Sequence, residues 1–105
     1  MRLPVERESR MSKPTYRVPS MAEIAAQAWN GRTVVSTFAG CGGSSTGYRM
    51  AGFLVLWANE FVDAAREVYA LNARQGTVVD GRDIRDIGAT DVLTETGLEV
   101  GELVD

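Results

Sequence analysis

The chain has 105 residues, enough for one small domain; 45% of them are apolar and 24% charged, an ordinary balance for a globular protein. No apolar run approaches the roughly 20 residues needed to cross a membrane, no apolar h-region follows the N-terminal arginines, and a single cysteine excludes an internal disulfide, so a reducing cytoplasm is the expected setting. The net charge of −3 is uneven: residues 1–20 carry five basic side chains against two acidic ones, which leaves −6 for the remainder and argues against an extensive phosphate-binding surface there.

Residues 1–19 hold all three prolines (Pro4, Pro14, Pro19) without helical or alternating apolar spacing, and read as a flexible basic leader. Ser20-Met21-Ala22-Glu23 fits a capping box opening a helix over about 21–29, with Ile24, Ala25 and Trp29 at helical spacing and Asn30-Gly31 ending it. Thr33–Phe38 reads as a first strand, and Ser44–Ala51 as a helix closed by Gly52. Phe53–Ala58 is a continuous apolar run of strand length, as expected of a parallel strand covered on both faces. Val62–Asn72 reads as a helix with Ala65, Val68, Tyr69 and Asn72 on one side; Thr77–Val79 reads as a short strand, followed by the loop Gly81-Arg82-Asp83-Ile84. Thr90 is the expected cap of a last helix over 91–96, ended by Gly97. Alternating strands and helices indicate an α/β fold with about three parallel strands and flanking helices, in which residues 20–105 form one unit.

The glycine cluster Gly40-Cys41-Gly42-Gly43 between the first strand and the first crossover helix has the layout of a nucleotide-type cofactor loop, where side chains would block the backbone from approaching a ligand. The spacing is Gly-x-Gly-Gly with Gly47 further on, and Ser45 stands where a dinucleotide fingerprint has glycine or alanine. A helix start also suits a carboxylate, through its free amides and dipole. Glu60, at the end of the second strand, is placed to accept from both hydroxyls of a ribose. The bland alternatives are a tight structural turn for the glycines and a solvated, helix-capping carboxylate for Glu60.

Phe38-Ala39-Gly40-Cys41-Gly42-Gly43, Ala51-Gly52-Phe53, Ala58-Asn59-Glu60-Phe61 and Arg82-Asp83-Ile84 resemble the opening motifs of DNA cytosine-5 methyltransferases, over about Thr33 to Leu103. The resemblance implies part of a Rossmann-like fold that binds S-adenosyl-L-methionine, with sheet order 3-2-1, and makes residues 20–105 the N-terminal, cofactor-binding half of a catalytic domain. It implies cofactor binding by Phe38, Ala39, Gly40, Cys41, Gly42 and Gly43, a ribose-binding Glu60, an aromatic Phe61 against the adenine face, Asp83 accepting from the adenine amino group and Ile84 covering the ring. The alternatives are a core Phe61 and an exposed turn aspartate at 83; Asp80 and Asp86, off the motif, read as solvated. Ser36 stands where the family often has aspartate, which removes a negative charge near the sulfonium.

The family's reaction adds a cysteine thiolate to C6 of a flipped-out cytosine before C5 takes the methyl group. Its nucleophile follows a proline, and no Pro-Cys pair occurs in this sequence, so Cys41 is assigned to the cofactor loop and no residue is assigned a catalytic role. The expectation is a fragment without activity alone, whose DNA contacts belong to the full-length enzyme; the alternatives are one part of a split enzyme, completed by a chain carrying the cysteine, and a non-catalytic nucleotide-binding module. No metal site is expected.

Overall fold

The computed structural model describes residues 15–100. Most of the expected leader lies outside them; residues 15–20 are without regular structure. Eight elements follow: α1 (Met21–Ala25), β1 (Thr33–Ser36), α2 (Gly43–Met50), β2 (Leu54–Asn59), α3 (Asp63–Asn72), β3 (Val78–Asp80), a 3-10 turn (Ile84–Asp86) and α4 (Ala89–Thr96). The strands form one parallel sheet in the order β1-β2-β3, with β2 central. This is the α/β architecture that the alternation in the sequence predicts, compatible with part of a Rossmann-like methyltransferase fold.

The core is built around β2. Val55, Trp57, Ala58 and Asn59 are buried, and Val34 of β1 lies beside them. Adjacent positions of β2 face opposite sides of the sheet, so burial at 57, 58 and 59 means both faces are covered. On α3 only Tyr69 of the expected apolar face is buried, and its hydroxyl shares a 2.7 Å hydrogen bond with Ser45 Oγ of α2. Val68 is 42% exposed. The Trp57 indole donates to Glu95 Oε2 at 2.6 Å, which fastens α4 to the central strand.

Several boundaries move for identifiable reasons. The capping box forms as expected, with the Glu23 amide donating to Ser20 Oγ at 3.1 Å and the Ser20 amide to Glu23 Oε1 at 3.2 Å. The helix nevertheless stops at Ala25 rather than 29, because residues 28–32 brace the turn between α2 and β2. Asn30 donates through its amide to Gly52 O and through Nδ2 to Ala51 O, and a β-carbon on Gly52 (φ +89°) would lie 2.5 Å from Ala28 O. Trp29 is consequently off the helix and 60% exposed. β1 ends at Ser36, two residues early, before Phe38 turns the chain with φ +52°. α4 begins two residues before its expected start: the Asp91 carboxylate accepts from the Gly88 amide at 2.9 Å, so Thr90 is not the cap.

Candidate functional site

The three segments singled out in the sequence all leave the C-terminal ends of adjacent parallel strands: residues 37–42 after β1, Glu60–Val62 after β2 and Gly81–Asp83 after β3. In parallel α/β sheets this is the edge where ligands bind. Backbone bonds join the loops directly. The Ala39 amide donates to Asn59 O at 2.8 Å, and the Glu60 amide to Asp80 O at 3.0 Å.

Glu60 is the junction. Its Oε1 accepts from the Gly40 amide at 2.8 Å, and its Oε2 accepts from the Val62 amide at 2.9 Å. The backbone N–H groups of Val62 and Gly40 hold this carboxyl below the usual carboxylate range, so it is ionised at neutral pH. A carboxylate has about four acceptor positions, and the two amides leave room for donors from outside the protein. One alternative reading of Glu60 is partly realised, since it does brace the start of α3, but through a bond that also ties it to the glycine loop.

Gly42 is the N-cap of α2, with φ +104°, and a β-carbon there would stand 3.2 Å from the Tyr69 ring. Conformation and packing therefore both select glycine. Phe38 occupies the left-handed region, which is uncommon for a bulky residue, and it is 73% exposed. Phe61 is 62% exposed, which excludes the reading of it as core. Cys41 is an exposed free thiol in the same loop; Ala39, Gly40 and Ile84 are half-buried and Gly43 is exposed.

Asp83 is more engaged than a bare turn aspartate. It caps the 3-10 turn by accepting from the Arg85 amide at 2.9 Å, and its two oxygens pair with Arg85 Nε and Nη2, the latter at 2.7 Å. The Arg85 guanidinium, followed by the Arg85 amide, pulls its pKa down to about 2. Asp83 has no hydrogen bond to Glu60 or the glycine loop. Its connection to them runs through Asn59, a buried side chain whose Nδ2 donates to Asp80 O at 3.1 Å and Arg82 O at 2.8 Å. Asn59 was not anticipated as a site-forming residue; the polar side chain closing an otherwise apolar strand is the signal that could have found it. Asp80 corrects an expectation: it is buried, not solvated, and is held by Arg82 through Nε and Nη2. Arg82 reaches on to Glu95 at 3.4 Å and Asp91 at 3.8 Å, joining the third loop to α4.

Among the described residues there is no cluster of three or more metal-ligating side chains, and no helix is long and apolar enough to cross a membrane. The fold is a three-stranded parallel α/β sheet with three hydrogen-bonded loops gathered at the C-terminal ends of its strands. A family model for C-5 cytosine-specific DNA methylase matches residues 32–96, which take in all three loops, and the chain belongs to that family. No curated protein matches the chain.

Proposed function

We propose that this chain holds S-adenosyl-L-methionine for methylation of cytosine C5 in DNA, with Phe38–Gly43, Glu60, Phe61, Asp83 and Ile84 forming the cofactor site. The observation that carries the reading is the Glu60 carboxylate, fixed by the glycine loop on one oxygen and by the start of α3 on the other, with acceptor capacity left for a vicinal diol. The chemistry of the remaining groups fits the same ligand. Phe61 follows Glu60 directly, and Phe38 lies two residues before Gly40, whose amide donates to the Glu60 carboxylate; both rings are exposed and offer aromatic faces for a purine. The first amides of α2 have no acceptor within the helix and suit the cofactor's carboxylate. Asp83, ionised, offers only acceptors, which is the requirement for receiving an exocyclic amino group.

The bound cofactor would supply an electrophilic methyl group; the contribution of these residues is to position it. The sequence contains no Pro-Cys pair, and we place the thiolate that attacks cytosine, together with the DNA-reading surface, outside these 105 residues. DNA then reaches the site through the complete enzyme or through a complementing chain, in a reducing cytoplasm consistent with the unpaired Cys41.

Titration calorimetry of the 105-residue chain with S-adenosylmethionine and with its demethylated product tests the assignment. Each hydrogen bond to a charged acceptor is worth about 1.5–3 kcal/mol, so Glu60→Ala is expected to weaken binding about tenfold or more. Equal heats for both proteins would remove Glu60 from the site, and preferential binding of NAD would move the chain to the class of other nucleotide-binding modules. Methylation of DNA by the chain alone would refute the placement of the nucleophile elsewhere.

A further inference from the structure

A second candidate site lies at the opposite edge of the sheet. The segments leading into the three strands, Trp29 before β1, Gly52–Phe53 before β2 and Asn72–Gln75 before β3, line a cleft of about 540 Å3. Met21, Ile24, Trp29, Phe53, Leu54 and Leu71 supply apolar walls, and Trp29 and Leu71 are 60% and 83% exposed. Two arginines line the same cleft. Arg49 is only 9% exposed, and its Nη1 donates to Asn72 O at 2.7 Å. Arg74 donates through Nη1 to Gln75 O, and its Nε is buried without an acceptor.

The other paired arginines make the contrast. Arg17, Arg66, Arg82 and Arg85 each have a carboxylate within 3 Å. Arg49 and Arg74 have none among the described residues, in a chain whose net charge is −3. Two guanidinium groups that line one cleft and meet no carboxylate there leave positive charge that an incoming anion can pair with. The planar fork of arginine matches an oxyanion bidentately. A cleft of this size, mostly apolar with a few converging polar donors, has the character of a small-molecule site.

We propose that this cleft binds a small organic anion, with an apolar body against Trp29, Phe53 and Leu71 and a carboxylate or phosphate head group on Arg49 and Arg74. The site is independent of the cofactor loops, which leave the other ends of the strands. The test is an NMR titration of the 15N-labelled 105-residue chain with octyl phosphate, octanoate, 1-octanol and inorganic phosphate. The readout is the indole N–H signal of Trp29, with buried Trp57 as internal reference. Both amphiphilic anions are expected to shift Trp29 and saturate; octanol and inorganic phosphate are each expected to bind at least about tenfold more weakly, since each lacks half of the recognition. Arg74→Gln should weaken octyl phosphate by about the same factor, whereas Arg85→Gln, at an exposed position away from the cleft, should not. Octanol or inorganic phosphate matching octyl phosphate on the unaltered chain would overturn the proposal, as would undiminished affinity in folded Arg74→Gln.

Discussion

The two ends of the parallel sheet are held together by different means. At the C-terminal end, loops 37–42, 60–62 and 81–83 are cross-linked by hydrogen bonds in which each buried polar group meets a partner: Ala39 to Asn59, Gly40 to Glu60, Glu60 to Asp80, and Asn59 to Asp80 and Arg82. At the N-terminal end, close backbone approach does the holding, with Gly52 pressed on Ala28 and Asn30 bridging the turn. Arg49 and Arg74 there meet no carboxylate among the described residues, while Glu60 and Asp80 at the other end are fixed by amides and by Arg82. A fully satisfied network defines geometry, as a pre-organised ligand site requires. A steric brace defines position but leaves charge uncompensated.

If that division is real, damage to one end should separate from damage to the other. The largest effect is expected from Gly52→Ala. The residue has φ +89° and a β-carbon would stand 2.5 Å from a carbonyl oxygen, so strain and displacement together should cost about 3 kcal/mol or more in urea unfolding. The folded fraction of this variant should keep its affinity for S-adenosylmethionine. Asn59→Leu should behave in the opposite way. Removing the amide leaves Arg82 O without its donor, a penalty of about 2 kcal/mol, and the loop carrying Asp83 loses its tether to Glu60. Cofactor affinity should fall along with stability, and a variant that keeps full affinity would show that the third loop is positioned by Arg82 and α4 instead. Tyr69→Phe should be milder still. It removes the buried bond to Ser45 but keeps the ring that backs Gly42, so about 1 kcal/mol is expected with little change in cofactor binding.

Much of the fold was legible in the sequence, and the places where it was not have common causes. The order of elements, the parallel sheet and the convergence of the glycine loop with Glu60 followed from apolar runs, glycines and a spaced acid. The early end of α1 did not, because the competing partner of residues 28–30 is a turn more than 20 positions away. Asp80 read as solvated because nothing local marks an aspartate as buried; its burial depends on Arg82 two residues on and on α4 beyond. The same holds for Arg49 and Arg74, whose lack of carboxylate partners is visible only once the strands are assembled.

The smallest expected effect compares one carboxylate from each end. Arg17, with the Ser20 groups, pulls Glu23 of α1 down to about 2, and Arg85 does the same for Asp83 in the third loop. Both folded values lie below the ordinary 4.5 and 3.8, so each group contributes stability that is present above its ordinary value and is lost as pH falls toward 2. Unfolding midpoints should therefore be level above about pH 5 and decline between about 4.5 and 2, modestly, because exposed pairs are screened by solvent and salt. Carboxyl NMR titrations resolve the two. Arg17→Gln should return Glu23 toward its ordinary range and leave Asp83 unmoved; Arg85→Gln should do the reverse. An Asp83 that stays near 2 in Arg85→Gln would mean that the Arg85 amide, not its guanidinium, holds the charge. The exposed guanidinium would then be free to swing aside for an incoming amino group, with the carboxylate still ionised to receive it.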